Sequence, residues 1–258
     1  MLYHHSLADI QTTLDSLLST DIVEKIILVD NGGCDWADQL DNSNVDYIKA
    51  TKNGGFGYGH NLAINEYAHL SEYFLICNPD IDFKSEQLKK LHDVAQRSQA
   101  GLFSPRIIYP DGSNQFGQRL LPTPLNLFAR RFLPKLISNN LDDKYLLRNI
   151  TFNEPVLIPN ISGSFMLFKS ECLLELGGFD ERYFMYMEDI DLSRRCAVTF
   201  GSLYVPSTYI IHEHQQASYK DKILLKAHII SAVRYFNKWG WFYDEERKQL
   251  NATVLRGL

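Results

Sequence analysis

Short apolar segments that end in polar turns alternate with helical segments along the first hundred residues, and this alternation constrains the fold most. Lys25–Val29, Val45–Ala50 and Tyr73–Cys77 are runs rich in β-branched and aromatic residues, which are typical of buried strands. Ser6–Ser19 and Ser85–Arg97 carry apolar residues at helical spacing. The pattern predicts an α/β domain with a mostly parallel mixed sheet flanked by helices. Such sheets bind ligands beyond the carboxyl ends of their strands.

The first helix is predicted together with an unusually short strand before it. Ser6 and Asp9 have the spacing of a reciprocal N-terminal cap. Only Met1–Tyr3 precede this helix, although such a domain normally opens with a full strand. Either the first strand is short or the sequence begins late. The apolar residues expected on the buried face of the helix are Leu7, Ile10, Leu14, Leu17 and Leu18.

The regular alternation stops in the middle of the chain and returns after it. The stretch from Asp111 to Pro155 shows no clear period. Strand patterns return at Gly163–Lys169 and Leu203–His212, and Lys222–Trp239 has the apolar spacing of a long helix. We therefore expect one continuous domain with a helical extension at its C-terminal end.

Composition excludes several classes of function. The 258 residues carry a formal net charge of −5, whereas nucleic-acid readers usually present a strongly basic face. The four cysteines form no CxxC pair, so neither a zinc site nor a disulfide framework is predicted. No apolar run reaches about 18 residues, and no signal peptide opens the chain. These features predict a soluble or peripheral protein of the cytoplasm with no nucleic-acid partner.

Two strand ends carry side chains suited to a metal ion. Asn78-Pro79-Asp80 directly follows one predicted strand, and His212 ends another. A carboxylate at a strand end is a hard oxygen ligand for Mg²⁺ or Mn²⁺, and imidazole also ligates divalent ions. The alternatives are an ordinary turn with solvated carboxylates and a structural histidine.

A glycine-rich segment covers residues 53–61 and is interpreted as a loop that runs into a helix from about Leu62. Glycines let a backbone approach a nucleotide closely, and its amides can face phosphate or ribose. The spacing matches neither the P-loop nor the dinucleotide fingerprint. A flexible surface loop is the alternative interpretation.

An acidic pair, Glu188 and Asp189, opens a predicted helix in the second half of the chain. Acidic residues at a helix start stabilise the helix dipole, so a structural cap explains any one of them. Aromatic and methionine neighbours raise a carboxylate pKa towards a value useful in a general base. The pair is therefore a candidate catalytic site.

Seven short motifs follow one another from Val29 to His212. They are Val29-Asp30-Asn31, Asn53-x-Gly55-Phe56-Gly57-x-Gly59-x-Asn61, Asn78-Pro79-Asp80, Gly163-Ser164-Phe165, Gly178-Phe179-Asp180, Glu188-Asp189-x-Asp191-Leu192-x-x-Arg195 and His212. This ordered set resembles the family-2 glycosyltransferases of GT-A fold, whose core is a Rossmann-like sheet. Within that family the chain is most similar to the bacterial rhamnosyltransferases of O-antigen and cell-wall polysaccharide assembly.

The resemblance implies a role for each motif position. Asn78-Pro79-Asp80 takes the place of the family's Asp-x-Asp, so Asp80 with His212 would hold Mg²⁺ or Mn²⁺. Asp189 would be the base, with Glu188 beside it. The acceptor would contact Glu188, Phe184 and Tyr186. The residues that would bind the nucleotide-sugar donor are Tyr3, His4, Asp30, Asn31, Gly55, Phe56, Gly57, Asn61, Asn78, Asp80 and Gly163.

The resemblance also implies a reaction. Residues 1–110 would form the donor-binding half, and residues 111–258 the acceptor-binding and catalytic half. L-Rhamnose would pass from dTDP-L-rhamnose, with inversion, to a glycan or polyprenyl-diphosphate-linked acceptor at the inner face of the cytoplasmic membrane. The alternatives are another donor, such as UDP-galactofuranose or a UDP-hexose, and a non-catalytic nucleotide- or carbohydrate-binding module.

Two segments are candidates for contact with that membrane surface. Leu125–Ile137 interleaves basic and aromatic residues, and Lys220, Lys222 and Lys226 lie around the start of the last predicted helix. Basic groups are attracted to anionic lipid, and apolar groups insert shallowly. The alternative is that the apolar side chains pack on the sheet and the lysines are solvated.

Overall fold

The computed structural model describes residues 1–127, 142–213 and 222–256. Its helices are α1 (Leu7–Leu18), α2 (Phe56–Tyr67), α3 (Ser85–Arg97), α4 (Ser170–Glu175), α5 (Glu188–Thr199), α6 (Lys222–Trp239) and α7 (Glu245–Arg256). Its strands are β1 (Ile26–Asp30), β2 (Val45–Lys49), β3 (Tyr73–Cys77), β4 (Ile81–Asp82), β5 (Leu102–Ile108), β6 (Gln118–Arg119), β7 (Val156–Leu157), β8 (Asn160–Ile161), β9 (Phe165–Lys169) and β10 (Ser202–His212).

The sheet is mixed and flanked by helices, with fewer parallel pairs than the sequence predicts. β1 and β2 form a separate parallel pair. The larger sheet has the order β3-β9-β5-β10-β4, with β7 also paired to β10. β5 and β10 are parallel, whereas β9 runs antiparallel to both of its neighbours. The parallel character is lower because β9, which follows the irregular middle segment, enters the sheet between β3 and β5 from the opposite direction.

A cavity of about 810 Å³ lies between β1 and β3. Its walls include Ile27 and Val29 on one side and Leu75 on the other. Leu2 makes a single parallel bridge to Asp30, and its amide donates to the Val29 carbonyl at 2.7 Å. The first strand is therefore reduced to a bridge at one end of the cavity.

α1 begins with the predicted capping box of Ser6 and Asp9. Its buried face differs from the predicted one, because Leu7 and Leu18 are exposed while Thr13 is buried. Hydrogen bonds from polar side chains of α1 to the backbone beside it accompany this orientation of the helix.

The hydroxyl of Thr13 connects α1 to the segment that carries Asp80. It lies 2.7 Å from the Pro79 carbonyl oxygen and 2.6 Å from that of Ile81, and it accepts a hydrogen bond from the Ile81 amide at 2.8 Å. The Ser16 hydroxyl donates to Asp82 at 3.2 Å. α1 therefore holds both ends of the turn around Asp80.

The C-terminal helices form the predicted extension, but α7 has no counterpart among the predicted helices. The Arg194 guanidinium in α5 is buried and pairs with Asp244 at 2.6 Å and Glu246 at 2.8 Å. It also stacks 4.0 Å from the ring centre of Trp239. α7 has a largely polar sequence, so its helical spacing is weak, and these ion pairs connect its start to α5.

The sequence also carries predictions for the cysteines and for contact with a membrane. All four cysteines are free thiols. Within residues 1–127, 142–213 and 222–256, no helix is long and apolar enough to cross a membrane. Residues 128–137 and Lys220, which belong to the segments predicted to contact a membrane, lie outside the described residues, as does the side chain of Lys222.

Candidate active site

The pairing of two strand ends brings Asp80 and His212 together. Asp80 lies between β3 and β4, and β4 pairs with the end of β10 so that Ile81 lies opposite His212. The Glu213 amide donates to the Asp80 carbonyl at 3.1 Å. Asp80 Oδ1 consequently lies 3.3 Å from His212 Nε2. The two predicted metal ligands are therefore side by side, and metal binding by them stays a prediction.

Gln115, which is not among the residues predicted for the site, contacts His212 on the side away from Asp80. Its side-chain Nε2 donates to the His212 carbonyl at 2.6 Å, and its Oε1 lies 2.9 Å from His212 Nδ1. Gln115 follows β5 in a stretch rich in Gly, Ser and Asn, a composition that predicts a turn. Composition gives no sign of a contact between residues that are 97 positions apart.

Asp189 at the start of α5 is anchored to the segment that precedes β9. Its Oδ2 accepts a hydrogen bond from the Gly163 amide at 3.0 Å, and its Oδ1 accepts one from the Ile190 amide at 2.9 Å. A Cβ at Gly163 would lie 2.9 Å from the Cβ of Asp189, so the close approach requires glycine. Two amides fix the carboxylate, and each oxygen keeps further acceptor capacity.

Glu188 lies beside Asp189 in a different environment. It is buried, and within the described part of the chain its Oε2 has no hydrogen-bond partner. Burial, and to a smaller extent the charge of Asp189, raises the pKa of Glu188 to about 8. Glu188 is therefore mainly protonated at neutral pH, and Asp189 is the more exposed member of the pair.

The loop before α5 carries the residues predicted to contact the acceptor. Tyr186 and Met187 have φ angles of 69° and 71°, which are rare for residues with side chains. They turn the chain sharply into the helix. The Phe184 side chain is partly exposed to solvent. The centre of the Tyr186 ring lies 4.8 Å from that of the His228 ring in α6.

Asp191, which follows the acidic pair, is structural. It is fully buried and accepts hydrogen bonds from Arg195 Nε at 2.9 Å and Trp239 Nε1 at 2.8 Å. Lys238 Nζ lies 2.7 Å from Oδ1, the oxygen that also accepts from Trp239. Arg195 in turn donates to the Gly178 carbonyl. These contacts hold α5 against α6 and leave Asp191 no access to a substrate.

The glycine-rich segment is largely helical, since α2 begins at Phe56 instead of near Leu62. The Phe56 amide donates to the Phe184 carbonyl at 2.9 Å. A Cβ at Gly55, whose φ is 96°, would collide with that same carbonyl oxygen. A Cβ at Gly57 would lie 2.8 Å from Phe179. In this structure the glycines permit close packing against the acceptor loop, and their contact with a donor stays a prediction.

Asp30 and Asn31 at the end of β1 are buried and hold neighbouring turns. Asp30 accepts hydrogen bonds from the amides of Gly32 at 2.7 Å and Cys34 at 3.1 Å, and from the Tyr47 hydroxyl at 3.1 Å. Asn31 Nδ2 donates to the Gly55 carbonyl at 2.9 Å. Both residues shape the edge of the site, and direct contact with a nucleotide stays a prediction for them.

Tyr3 and His4 lie over the turn that Asp30 holds. The His4 amide donates to the Gly32 carbonyl at 2.8 Å, and the two rings meet edge to face at 4.3 Å. Tyr3 is 46% exposed, so its ring is available to a ligand. Tyr3 and His4 thus lie beside the end of β1 despite the short first strand, and their contact with a donor stays a prediction.

The remaining predicted donor residues occupy two places. Asn78 follows β3, and its amide donates to the Ser164 carbonyl at 2.9 Å, next to Gly163. Asn61 is buried in α2, where its side chain bonds both the amide and the carbonyl of Phe179. The structure thus places Asn78 with Asp80 and Gly163 at one sheet edge, whereas Asn61 supports the loop behind it.

The side-chain atoms at this edge of the sheet suit a divalent cation that a bound nucleotide would also ligate. A carboxylate oxygen of Asp80 and an imidazole nitrogen of His212 lie side by side, and both atoms are suitable ligands. Across the residues that the structure describes, no group of three or more His, Cys, Asp and Glu side chains could hold a metal. A carboxylate and an imidazole thus lie together at this edge, and a bound diphosphate would supply further ligands.

Two curated relatives are bacterial rhamnosyltransferases. The N-acetylglucosaminyl-diphospho-decaprenol L-rhamnosyltransferase of Mycobacterium tuberculosis is 29% identical over 219 residues, which are 79% of this chain and 71% of that protein. Rhamnosyltransferase WbbL of Escherichia coli is 28% identical over 242 residues, which are 88% of this chain and 87% of that protein.

Solved structures show the same fold at low identity. GalNAc-T7 with UDP, GalNAc and Mn²⁺ has a TM-score of 0.67 and 15% identity over 96% of this chain and 48% of its own. The mannosyltransferase PcManGT of Pyrobaculum calidifontis with GDP-Man and Mn²⁺ has a TM-score of 0.61 and 14% identity over 97% of this chain and 66% of its own. The chain thus spans about half and two thirds of these two proteins, and its fold is the GT-A fold.

The match to a family agrees with the fold and with the order of the motifs. Residues 1–176 match the family described as glycosyl transferase family 2. This range includes β1, β3 and β9, which border the predicted donor site, whereas the acidic pair and His212 lie beyond it. The chain belongs to glycosyl transferase family 2.

Proposed function

We propose that the protein is an inverting glycosyltransferase that moves a sugar from a nucleotide-sugar donor to an acceptor hydroxyl. One observation carries the proposal: Asp80 with His212, and Asp189 with Glu188, lie at the same edge of the sheet. The Asn78–Ser164 and Gly163–Asp189 hydrogen bonds connect the two pairs through adjacent backbone. One pair offers metal ligands and the other a base, which are the two requirements of the reaction.

Asp80 and His212 would hold Mg²⁺ or Mn²⁺. The ion, when bound, would neutralise negative charge on the diphosphate of the donor. Asn78 takes the place of one carboxylate of an Asp-x-Asp, so the protein offers less negative charge to the ion. Donor oxygens would therefore contribute more of the ligand set, and metal and nucleotide should bind together. The presence of Mn²⁺ in two structural relatives supports this choice of ion.

Asp189 would act as the general base on the acceptor. Its carboxylate takes the proton of the acceptor hydroxyl while that oxygen attacks the anomeric carbon from the face opposite the leaving nucleoside diphosphate. The anomeric configuration is inverted, and no protein nucleophile is required. Glu188, protonated at neutral pH, places no second negative charge beside the base. Phe184 and Tyr186 would form the acceptor wall with Glu188.

The donor that we propose is dTDP-L-rhamnose, bound along the edge formed by Tyr3, His4, Asp30 and Asn31. The names of two relatives support the sugar, and one of them supports a polyprenyl-diphosphate-linked acceptor. UDP-galactofuranose and UDP-hexoses are the alternative donors. A lipid-linked acceptor would require work at the inner face of the cytoplasmic membrane.

The exposed face of α6 is the proposed membrane contact. Ile223 is 75% exposed, and Ile230 and Val233 on the same helix are also exposed. Lys226 and Arg234 are exposed among them. Apolar side chains flanked by basic ones suit the surface of an anionic bilayer. Flotation with anionic and neutral liposomes tests the contact, and replacement of both basic residues by Glu should abolish binding to anionic liposomes.

A donor panel with Mn²⁺ tests the proposed activity. Release of nucleoside diphosphate from dTDP-L-rhamnose, UDP-galactofuranose and UDP-hexoses would be measured with and without a polyprenyl-diphosphate-linked N-acetylglucosamine acceptor. We expect acceptor-dependent release from dTDP-L-rhamnose. Binding of a donor without any turnover would instead identify a non-catalytic binding module.

Asp189→Asn tests the base. Asparagine keeps the size of the side chain but cannot take the acceptor proton, so turnover should fall by about 10²–10⁴-fold. Donor affinity measured by calorimetry should change little, because Asp189 acts on the acceptor. Near-normal turnover in the variant would leave Asp189 a structural cap of α5. Glu188→Gln, tested in parallel, should keep most of the activity.

A further inference from the structure

We propose that Gln115 is a positioning residue that fixes the tautomer of His212 and so prepares the Asp80–His212 pair for a divalent cation. The inference deepens the proposed function and rests on it for the identity of the site. Two hydrogen bonds from one side-chain amide to one histidine carry the argument.

The orientation of the Gln115 amide follows from its two contacts. The atom 2.6 Å from the His212 carbonyl oxygen must be a donor, because a carbonyl oxygen only accepts. That atom is Nε2, so Oε1 is the atom 2.9 Å from His212 Nδ1. An amide oxygen only accepts, and Nδ1 must therefore carry a proton. The neutral imidazole is then left with its lone pair on Nε2.

That lone pair is directed to the predicted metal site. His212 Nε2 lies 3.3 Å from Asp80 Oδ1, so the unprotonated Nε2 presents an acceptor beside a carboxylate, which is an acceptor also. A cation between two acceptors is attracted by both. The opposite tautomer would place a proton on Nε2 and close the site with an internal hydrogen bond. Partners of this kind on the second ring nitrogen commonly orient metal-binding histidines.

The backbone around Gln115 is held in place. Its amide donates to the Ile107 carbonyl at 2.9 Å, and Ile108 forms a bridge with Asn114. Asn114 Oδ1 accepts a hydrogen bond from the Phe116 amide at 2.9 Å, where the chain adopts a φ of 52°. The glutamine thus extends from an ordered hairpin at the end of β5.

Three variants separate positioning from simple support of the hairpin. Gln115→Met keeps the length of the side chain but removes both contacts. Gln115→Glu keeps an acceptor for Nδ1 and loses the donor to the carbonyl. Ser113→Ala is the matched control, because it removes a 2.6 Å hydrogen bond to Asp111 in the same hairpin without touching His212.

Nitrogen-15 NMR of the ring, with the metal removed by chelation, reads the tautomer directly. The wild type, Gln115→Glu and Ser113→Ala should show a protonated Nδ1 in neutral His212, and Gln115→Met should show a mixture or the opposite tautomer. A protonated Nδ1 in Gln115→Met would overturn the proposal, whatever the activity of the protein.

Titration of Mn²⁺ in the presence of dTDP, and separately of UDP, gives the second measurement. Affinity should fall about 10–100-fold in Gln115→Met, recover in Gln115→Glu and stay unchanged in Ser113→Ala. An unchanged affinity in Gln115→Met would overturn the positioning role. Absence of Mn²⁺ binding in the wild type would instead count against the proposed metal site, and the NMR result alone would then decide the role of Gln115.

Discussion

At the scale of single residues, the adjacent carboxyl groups of Glu188 and Asp189 lie in different surroundings. The first turn of α5 directs Glu188 into the interior, where an ionised carboxylate is costly, and holds Asp189 on the amide of Gly163. The pKa of Glu188 is accordingly raised to about 8. The sequence predicts a raised pKa in the pair from its apolar neighbours, but only the helix geometry assigns it to Glu188.

Glu188→Gln should stabilise the protein at pH 8 and have little effect below pH 4.5. In the unfolded chain the group loses its proton near pH 4.5, whereas in the folded protein it keeps it to about pH 8. Stability due to protonated Glu188 is therefore fully present below pH 4.5 and is lost as pH rises towards 8. Glutamine removes this loss, so the gain at pH 8 should be about 2 kcal/mol or more. Thermal unfolding at both pH values measures it, and equal gains would contradict the assignment.

Other residues of the site show what a sequence pattern omits. The family resemblance predicts Asp30 as a donor-binding residue, and the structure shows that its carboxylate holds the next turn. Gln115 was not predicted at all, because its partner is distant in sequence. Strand ends identify which residues meet at the edge, but hydrogen-bond partners depend on tertiary contacts.

At the scale of elements, the predicted strands and most helix starts agree with the structure, whereas β5 and the two-residue strands β4, β6, β7 and β8 were not predicted. The five predicted strands lie within two residues of their observed bounds at each end, because runs of β-branched and aromatic residues are long and continuous. α2 begins earlier than predicted because glycines normally indicate a loop. Here Gly55 and Gly57 lie at close backbone contacts, which outweigh their low helix propensity.

Gly55→Ala should lower both stability and activity more than Gly177→Ala does. Both glycines have positive φ, at 96° and 71°, so alanine is strained at either position. A Cβ at Gly177 has nothing within 4 Å, whereas one at Gly55 collides with the Phe184 carbonyl. The control should lose about 1–2 kcal/mol. A comparable loss in both variants, measured by chemical denaturation, would show that the contact with Phe184 matters little.

The buried ion pair between α5 and the start of α7 makes a second prediction at this scale. Arg194→Met leaves Asp244 buried without its main cation, and the free energy of unfolding should fall by about 3–5 kcal/mol. Arg182→Ala removes an exposed partner of Asp180 and should cost under about 1 kcal/mol. Denaturation by urea compares them, and equal losses would mean that burial of the pair contributes nothing.

At the scale of the whole molecule, the cavity between β1 and β3 divides the sheet next to the proposed donor site. Five alternating apolar residues placed ahead of Met1 should extend the Leu2 bridge along β1 and fill this space. We expect the melting temperature and the donor affinity to rise together, because Tyr3 and His4 directly follow the bridge. A Gly/Ser extension of equal length is the control. A rise with both extensions, or with neither, would show that strand formation in the cavity is not responsible.

The same opening has a consequence for the behaviour of the protein in concentrated solution. In the described chain, no strand pairs with β3 on the side opposite β9, and apolar residues such as Leu75 line this opening. Exposed apolar strand edges recruit extended segments of other molecules. Self-association should therefore proceed by pairing at this edge. It would do so against the electrostatic repulsion between molecules that each carry a net charge of −5.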